Sequence, residues 1–441
     1  MTVAAKLSGC AWAPRIRWRI FSMLFGFGFV AYLQQKSITV AAARMMPELH
    51  LSQEQIGWLM WAFVFGYAAF QLPGGIIGQR LGARLMFIII GGVAILATVL
   101  TPLAPLALHG AALLAVLLGL QLLLGLSQGP IFPVSSGVME AWFRSDQWAL
   151  PQGLQSMALQ FAAALTPPLI VDLMDTFGWQ YALCWPALPA LGLLALWNWY
   201  GRNTPAEHPA VTAAELAELD EGSLSQTQSA ITWPRLARLL SDRSIVLLAL
   251  SYVCMNYVFY LIANWCFLYL VQERHFSNLE GGWLATAPPL AAAAGAGIGG
   301  KLAVDLCARL GVRWGFRLVP LVALPTAGVL LLVTVLAGNP YAAVFALALC
   351  YGIIELTEGS YWAATMFVAR ADTMSATGIL NTGGNVGGLI GIPIVASLSS
   401  HGHWTSAFVL GTVFALIGAA AWLGIDATRP FTAEKSTTLR A

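Results

Sequence analysis

Charge is what this chain has least of. Only 10% of its 441 residues are Asp, Glu, Lys or Arg, where soluble domains carry about a quarter. That scarcity excludes an ordinary globular protein. The 22 Lys and Arg nearly cancel the 20 Asp and Glu, and they are not gathered into an arm, so nucleic acid is not an expected partner. Cysteine is sparse too. Cys10, Cys184, Cys254, Cys266, Cys307 and Cys350 stand apart, with no Cys-x-x-Cys pair and no metal-ligand spacing. They read as isolated apolar thiols, and neither a metal nor another cofactor is expected. A cleavable leader is not expected either: no clear small-residue cleavage site follows a short apolar core, and the first apolar run, 21–43, is too long for a signal peptide and reads as a retained span. What the chain does have is apolar surface, with 58% hydrophobic residues and a mean hydropathy of +0.73.

Lys36 sits inside that first run, in Tyr32-Leu33-Gln34-Gln35-Lys36-Ser37. A cation at the centre of a bilayer-spanning helix costs roughly 2.5–3.5 kcal/mol on insertion scales. Such a residue is retained where it faces a polar cavity, a partner or a ligand. A snorkelling lysine is the plainer alternative, but the central depth makes that awkward, so Lys36 is expected to face a cavity.

A run of about 20 apolar residues crosses a bilayer as a helix, because every backbone group must then be bonded internally. Twelve such spans are expected, near 20–43, 55–78, 86–104, 109–139, 152–174, 179–200, 245–271, 282–304, 316–336, 340–369, 376–398 and 404–424. The long polar segment between the sixth and seventh divides the chain into an N-terminal half (1–200), a linker (201–244) and a C-terminal half (245–441). Within the linker, Thr212-Ala213-Ala214-Glu215 has capping-box spacing and should start a short surface helix. With both termini cytoplasmic, all of the 22 Lys and Arg except Lys36, Arg44 and Arg274 fall on or at the cytoplasmic side. That is the asymmetry a multi-pass protein of a bacterial inner membrane should have. A weak internal repeat supports two corresponding halves: Pro168 precedes Trp179, and Pro393 precedes Trp404, by the same interval.

Between the second and third spans lies Gly75-Ile76-Ile77-Gly78-Gln79-Arg80-Leu81-Gly82-Ala83-Arg84. It resembles the loop signature of the major facilitator superfamily, Gly-x-x-x-Asp-Arg-x-Gly-x-Arg, with Gln79 at the aspartate position. The loop of the second half keeps Asp305. Gly75, Gln79, Arg80, Gly82, Arg84 and Asp305 are therefore the expected gating residues. Further blocks are similar to one branch, the anion:cation symporters: Gly125 to Pro133 followed by Glu140-Ala141-Trp142-Phe143, Pro205 to Pro209, Asn256 to Tyr260 with Trp265 and Tyr269, and Gly378 to Gly388. The resemblance runs along nearly the whole chain. It implies an all-α integral membrane protein with twelve transmembrane helices in two six-helix halves, carrying sugar acids or other organic anions by alternating access.

The departures from that branch bear on mechanism. Where its proton-coupled members place an Asp-Arg pair, this chain has Gln34-Gln35, with Lys36 next; where they place an Arg and a Glu in the fourth span, it has Gln121 and Gln128. Glutamine does not titrate, so the usual coupling route is removed. Glu355 and Glu358, three residues apart in the tenth span, are the candidates to replace it; structural pairing with Lys36 is the plainer alternative. Lys36 would meet the anion as a point charge. Tyr32, Gln34, Gln35, Tyr67, Gln128, Gln155, Gln160, Asn256, Tyr257, Tyr260, Trp362, Asn381 and Asn385 are candidate partners for hydroxyls and sugar rings. For these, helix packing or interhelical hydrogen bonding is the plainer alternative. The glycine spacings Gly295/Gly299 and Gly384/Gly388 read as packing faces.

Gly125-Leu126-Ser127-Gln128-Gly129 also fits the nucleophile-elbow pattern, but that pattern needs a strand-to-helix turn and here falls inside a membrane helix. An enzyme is not expected. The reading is a monomeric secondary transporter of a small organic anion in the lipid bilayer, with hexuronate, aldonate or aldarate as substrate and the proton as coupling ion. An uncoupled facilitator or exchanger is the alternative, and a nutrient sensor with little transport is the rival from another class.

Overall fold

A computed structural model of the chain describes residues 16–217, 219 and 232–429. Lys6, Cys10, Arg15, Lys435 and Arg440 lie outside these, as does most of the middle of the linker. Every regular element among the described residues is a helix. Ten helical stretches are long and apolar enough to cross a membrane. Two of them, Glu280–Leu336 at 57 residues and Pro340–Ser399 at 60, far exceed the roughly 20 residues one crossing needs. Each contains a reversal. Gly311, at φ 76°, adopts a backbone shape that side-chain-bearing residues resist, and beyond it Gly315 packs directly on Cys307. Arg370, at φ 48°, ends the helix Glu358–Ala369 before Thr373–Ser400 begins. The result is twelve crossings among the described residues.

The first three crossings are Ile16–Glu48, Gln53–Leu81 and Ala83–Leu103. The fourth comprises Gly110–Gln128 and Ile131–Trp142, the fifth is Ala149–Phe177, and the sixth comprises Trp179–Cys184 and Ala187–Tyr200. Arg243–Gln272 is the seventh, and the two arms of Ala287–Leu336 are the eighth and ninth. The tenth comprises Pro340–Glu355 and Glu358–Ala369, and Thr373–Ser400 and Trp404–Trp422 complete the set. Local chemistry sets the starts. Ser52 and Gln55 form a reciprocal capping box, Asp242 caps the seventh crossing through the Ser244 and Ile245 amides, and Asn339 with Pro340 opens the tenth. The expected linker helix is present over Ala213–Ala217, with the Glu215 amide donating to Thr212 Oγ1 at 3.2 Å.

Large apolar side chains such as Phe345 (71% exposed) and Val329 (59%) point outward, as a lipid-facing surface requires. Gly295 and Gly299 let the eighth crossing meet the tenth at backbone distance, and Gly384 packs on Tyr252. The first six crossings meet the last six most closely at the end of the bundle where the first crossing begins and the last one ends, called here the terminal end. There Gly75 abuts the Met374 carbonyl, Gly153 that of Ala296, and Gly300 and Gly359 that of Ala149. A methyl group at any of these positions would force the two sets apart.

In the tenth crossing Glu355 ends one helical segment, Leu356 and Thr357 form a turn that keeps right-handed helical backbone angles, and Glu358 opens the next, so the two carboxyls stay on one face as their spacing predicts. The fourth crossing breaks in the same way at Gly129-Pro130.

Candidate functional site

Both breaks border a cavity of about 210 Å³ between the two sets of crossings. Helical geometry selects its lining. In the first crossing Gly28, Tyr32, Gln35 and Lys36 line it, which is one helix face. Tyr252, Asn256, Phe259, Tyr260 and Ala263 repeat that spacing in the seventh crossing, as do Asn381, Asn385, Gly388, Leu389 and Ile392 in the eleventh. The fifth contributes Ser156, Leu159 and Gln160; the tenth contributes Glu355, Glu358 and Trp362. Tyr67 and Gln128 complete the polar wall, beside Phe63, Ile131 and Phe132. Exposed Ala263, Asn264 and Leu389 lie beyond the midpoints of their crossings and form the mouth, so the cavity opens away from the terminal end.

Lys36 is half-buried, with its Nζ 5.3 Å from the centroid of the Tyr32 ring, a cation–π contact. Among the described residues it is the one basic side chain in the lining, and no carboxylate lies within ion-pairing distance of it. The plainer reading, structural pairing of Lys36 with Glu355 or Glu358, is therefore not what the chain does. Glu358 is instead surrounded by hydroxyl and indole donors. Ser156 Oγ donates to Oε2 at 3.1 Å, Trp362 Nε1 to Oε2 at 2.8 Å, and Tyr252 Oη to Oε1 at 3.1 Å. It also sits in the first turn of its helix segment, where the backbone amides favour negative charge. Glu355, at the C-terminal end of the preceding segment, faces the Gln160 amide. The Asn381 Nδ2 amide is buried with no acceptor, so a ligand oxygen would complete it.

Three expected lining residues fall elsewhere. Gln34, Gln155 and Tyr257 each neighbour a lining residue in sequence and are turned off its face by one helical step. Gln34 Oε1 accepts from Gln128 Nε2 at 2.8 Å, Gln155 donates to Ser135 at 2.8 Å, and Tyr257 stacks on Phe414. Tyr252 and Ser156 were not among the expected residues. Each lies one turn before one that was, Asn256 and Gln160 respectively, and that spacing could have found them.

The gating candidates divide. Gln79 bridges the two sets of crossings: Nε2 donates to the Ala371 carbonyl at 2.9 Å and to Asp372 Oδ1 at 3.1 Å, while Oε1 accepts from Ser375 at 2.7 Å. The buried Asp372 also pairs with Arg235 of the linker helix Trp233–Leu240 at 2.8 Å. Gly75 makes the close approach noted above. Gly82, at φ 83°, turns the chain, and Arg84 bonds the Asn198 carbonyl on its own side. Arg80 is exposed. Asp305 pairs with Lys301 one turn away on an exposed surface, rather than reaching the first six crossings. At the start of the linker, His208 packs between Trp142 and Tyr200. Burial, and then the Arg202 charge, hold its imidazole below the ordinary histidine range. Ser127 of the elbow pattern bonds its own helix at Leu124 O, 2.8 Å away.

Comparison with known proteins agrees with this architecture. The probable sulfoacetate transporter SauU of Cupriavidus necator is 27% identical over 404 residues, covering 90% of this chain and 91% of that one. The hexuronate transporter of Bacillus subtilis is 25% identical over 411 residues, covering 91% and 93%. Among solved structures, the proton:xylose symporter XylE superposes with a TM-score of 0.73 at 12% identity, over 92% of this chain and 94% of that one. At that identity the likeness speaks for the fold alone. The model of the Major Facilitator Superfamily matches residues 24–369. The chain is a member of the major facilitator superfamily, and it is a membrane transporter rather than an enzyme.

Proposed function

We propose that the protein carries a small organic acid, of the sugar-acid class, across a bacterial inner membrane with its termini on the cytoplasmic side. The observation that carries this reading is Lys36, a cation in the cavity lining that no protein carboxylate neutralises. An unpaired charge in a confined site is costly, and an anionic substrate removes that cost on binding. The amides and hydroxyls around it suit a polyhydroxylated body, and Trp362 and the tyrosines offer faces for a ring. Relatives named for hexuronate, D-galactonate and galactarate/D-glucarate support the same class of cargo, and one named for sulfoacetate supports a small organic anion more broadly.

Transport proceeds by alternating access. Packing is tight at the terminal end and the cavity mouth lies at the other, so this is the state that receives substrate from outside. Glu358 is the proposed proton carrier, with Glu355 as its neighbour. Protonation would release the hydroxyl and indole donors of the fifth, seventh and tenth crossings from a carboxylate, which couples charge at this point to helix packing. A second reading, an uncoupled facilitator or exchanger, is favoured by one observation: the positions that carry acids in the proton-coupled branch hold the neutral pair Gln34–Gln128 here. Purified protein in proteoliposomes separates the two. Symport requires that an inwardly directed proton gradient, with no substrate gradient, drive uptake of a radiolabelled sugar acid. Uptake indifferent to the gradient would sink symport and leave the exchanger, and absence of any sugar-acid flux would remove the substrate class.

A further inference from the structure

We infer that the cavity is polarised along its axis and accepts acids with one anionic group while discriminating against the matching diacids. The inference rests on the sugar-acid reading above and narrows it. The depth of each charge follows from how the first and fifth crossings, which run parallel, are held side by side. Gly28 faces Leu159 and Gln155, and Arg44 Nη1 donates to the Met174 carbonyl at 2.7 Å. On that register the Lys36 backbone stands about nine residues beyond Ser156, roughly 13 Å further from the terminal end, and its Nζ reaches back over the Tyr32 ring, about one turn nearer that end. Ser156 holds Glu358, and Gln160, one turn above it, faces Glu355.

The cavity therefore has a positive upper region and an acidic floor. Among the described residues no basic side chain lines the floor. Its polar surface is the two carboxyl groups, the hydroxyls of Tyr252 and Ser156, the indole of Trp362 and the amide of Gln160. An aldonate or hexuronate can place its carboxylate at Lys36 and its hydroxyls against these groups. The corresponding aldarate has a second carboxylate at the other end of the same carbon skeleton. With the first at Lys36, the second is driven toward Glu355 and Glu358, where it meets like charge or, if both carboxyls are protonated, still has no counter-ion. The relatives do not decide this point: some are named for diacids, galactarate and D-glucarate or sulfoacetate, and others for monoacids, D-galactonate or hexuronate.

The test is a binding titration of the purified wild-type protein, by intrinsic tryptophan fluorescence, against matched six-carbon sets in the gluco and galacto configurations: aldonate, uronate and aldarate. The expected result is that in the better-bound configuration at least one monoacid binds at least roughly tenfold tighter than its aldarate. An aldarate that binds as tightly as its monoacids, or tighter, overturns the inference and leaves the sugar-acid reading standing. If no member of either set binds, the sugar-acid reading itself fails and this inference goes with it. In a second arm, Glu355→Gln and Glu358→Gln should each narrow the monoacid-to-diacid ratio. A ratio unchanged in both folded variants overturns the assignment of the discrimination to the floor.

Discussion

The fourth and tenth crossings are the same device with different chemistry. Each begins as a long apolar helix, breaks beside the cavity and restarts as a twelve-residue segment. At the fourth, the break is Gly129-Pro130 and the cavity-facing residue before it is the neutral Gln128, bonded to Gln34. At the tenth, the break is Leu356-Thr357, and both flanking residues are acids. Charge is divided accordingly: the first six crossings supply the cavity's cation and the last six supply its carboxyls. On the function proposed above, the first set meets the anion and the last set handles the proton. Lys36 stands in the first crossing and Glu358 in the tenth, so loading the site would tie the two sets together without a direct ion pair between them.

Removing the cation should give the largest effect. Lys36→Ala leaves the substrate carboxylate without a counter-charge in a partly desolvated site, and sugar-acid affinity should fall roughly a hundredfold in a fluorescence or calorimetric titration. Lys36→Arg should retain most of it. Full affinity in the alanine variant would mean the anion sits elsewhere. Next comes the acidic side. Glu358→Gln keeps hydrogen-bond capacity and removes the proton site, so gradient-driven uptake should disappear in proteoliposomes while exchange of internal for external substrate persists. Glu355→Gln should cost less, since the three hydroxyl and indole donors converge on Glu358 rather than on Glu355.

The comparison can be sharpened by moving the acid. Gln128→Glu in the Glu358→Gln background returns a carboxylate to the fourth crossing, beside Gln34, whose buried Nε2 lacks a partner and can donate to it. Part of the gradient dependence should return. If none does, the two breaks are not interchangeable, and the floor of the cavity alone couples protons to movement.

Much of this could be read from the chain because charge in an apolar run is an outlier. Lys36, Glu355 and Glu358 stood out for that reason, and the twelve spans followed from length and from the distribution of Arg and Lys. What the sequence concealed was orientation within a helix. Gln34-Gln35-Lys36 reads as one polar cluster, yet successive residues lie about 100° apart around a helix, and only Gln35 and Lys36 share the face of Gly28 and Tyr32. The same one-step displacement separates Gln155 from Ser156 and Tyr257 from Asn256. The break at Leu356-Thr357 has no proline to announce it, whereas that at Gly129-Pro130 does. Nor could the chain alone disclose the pairing of Gln79 with Asp372, since the residues are nearly 300 positions apart.

That pairing leads to a second contrast, between the two ends of the linker. The later end docks on the last six crossings through charge, by the Arg235–Asp372 ion pair. Asp372→Asn should weaken the closure at the terminal end and change the transport rate a few-fold, with little change in substrate affinity. The earlier end docks on the first six through uncharged aromatic contacts of His208 with Trp142 and Tyr200. Here the expected effect is the smallest and its sign is fixed. The folded-state imidazole is held below the unfolded value, so the folded protein takes up its proton at lower pH than the unfolded chain does. The stability this contact provides is present above the unfolded value of about 6.5 and is lost as pH falls from there through the folded value. Thermal unfolding of the parent should therefore drop more steeply between neutral pH and about pH 5 than that of His208→Gln, which has no proton to gain. Parallel curves for the two proteins would show that the linker's grip on the first six crossings does not depend on keeping that imidazole neutral.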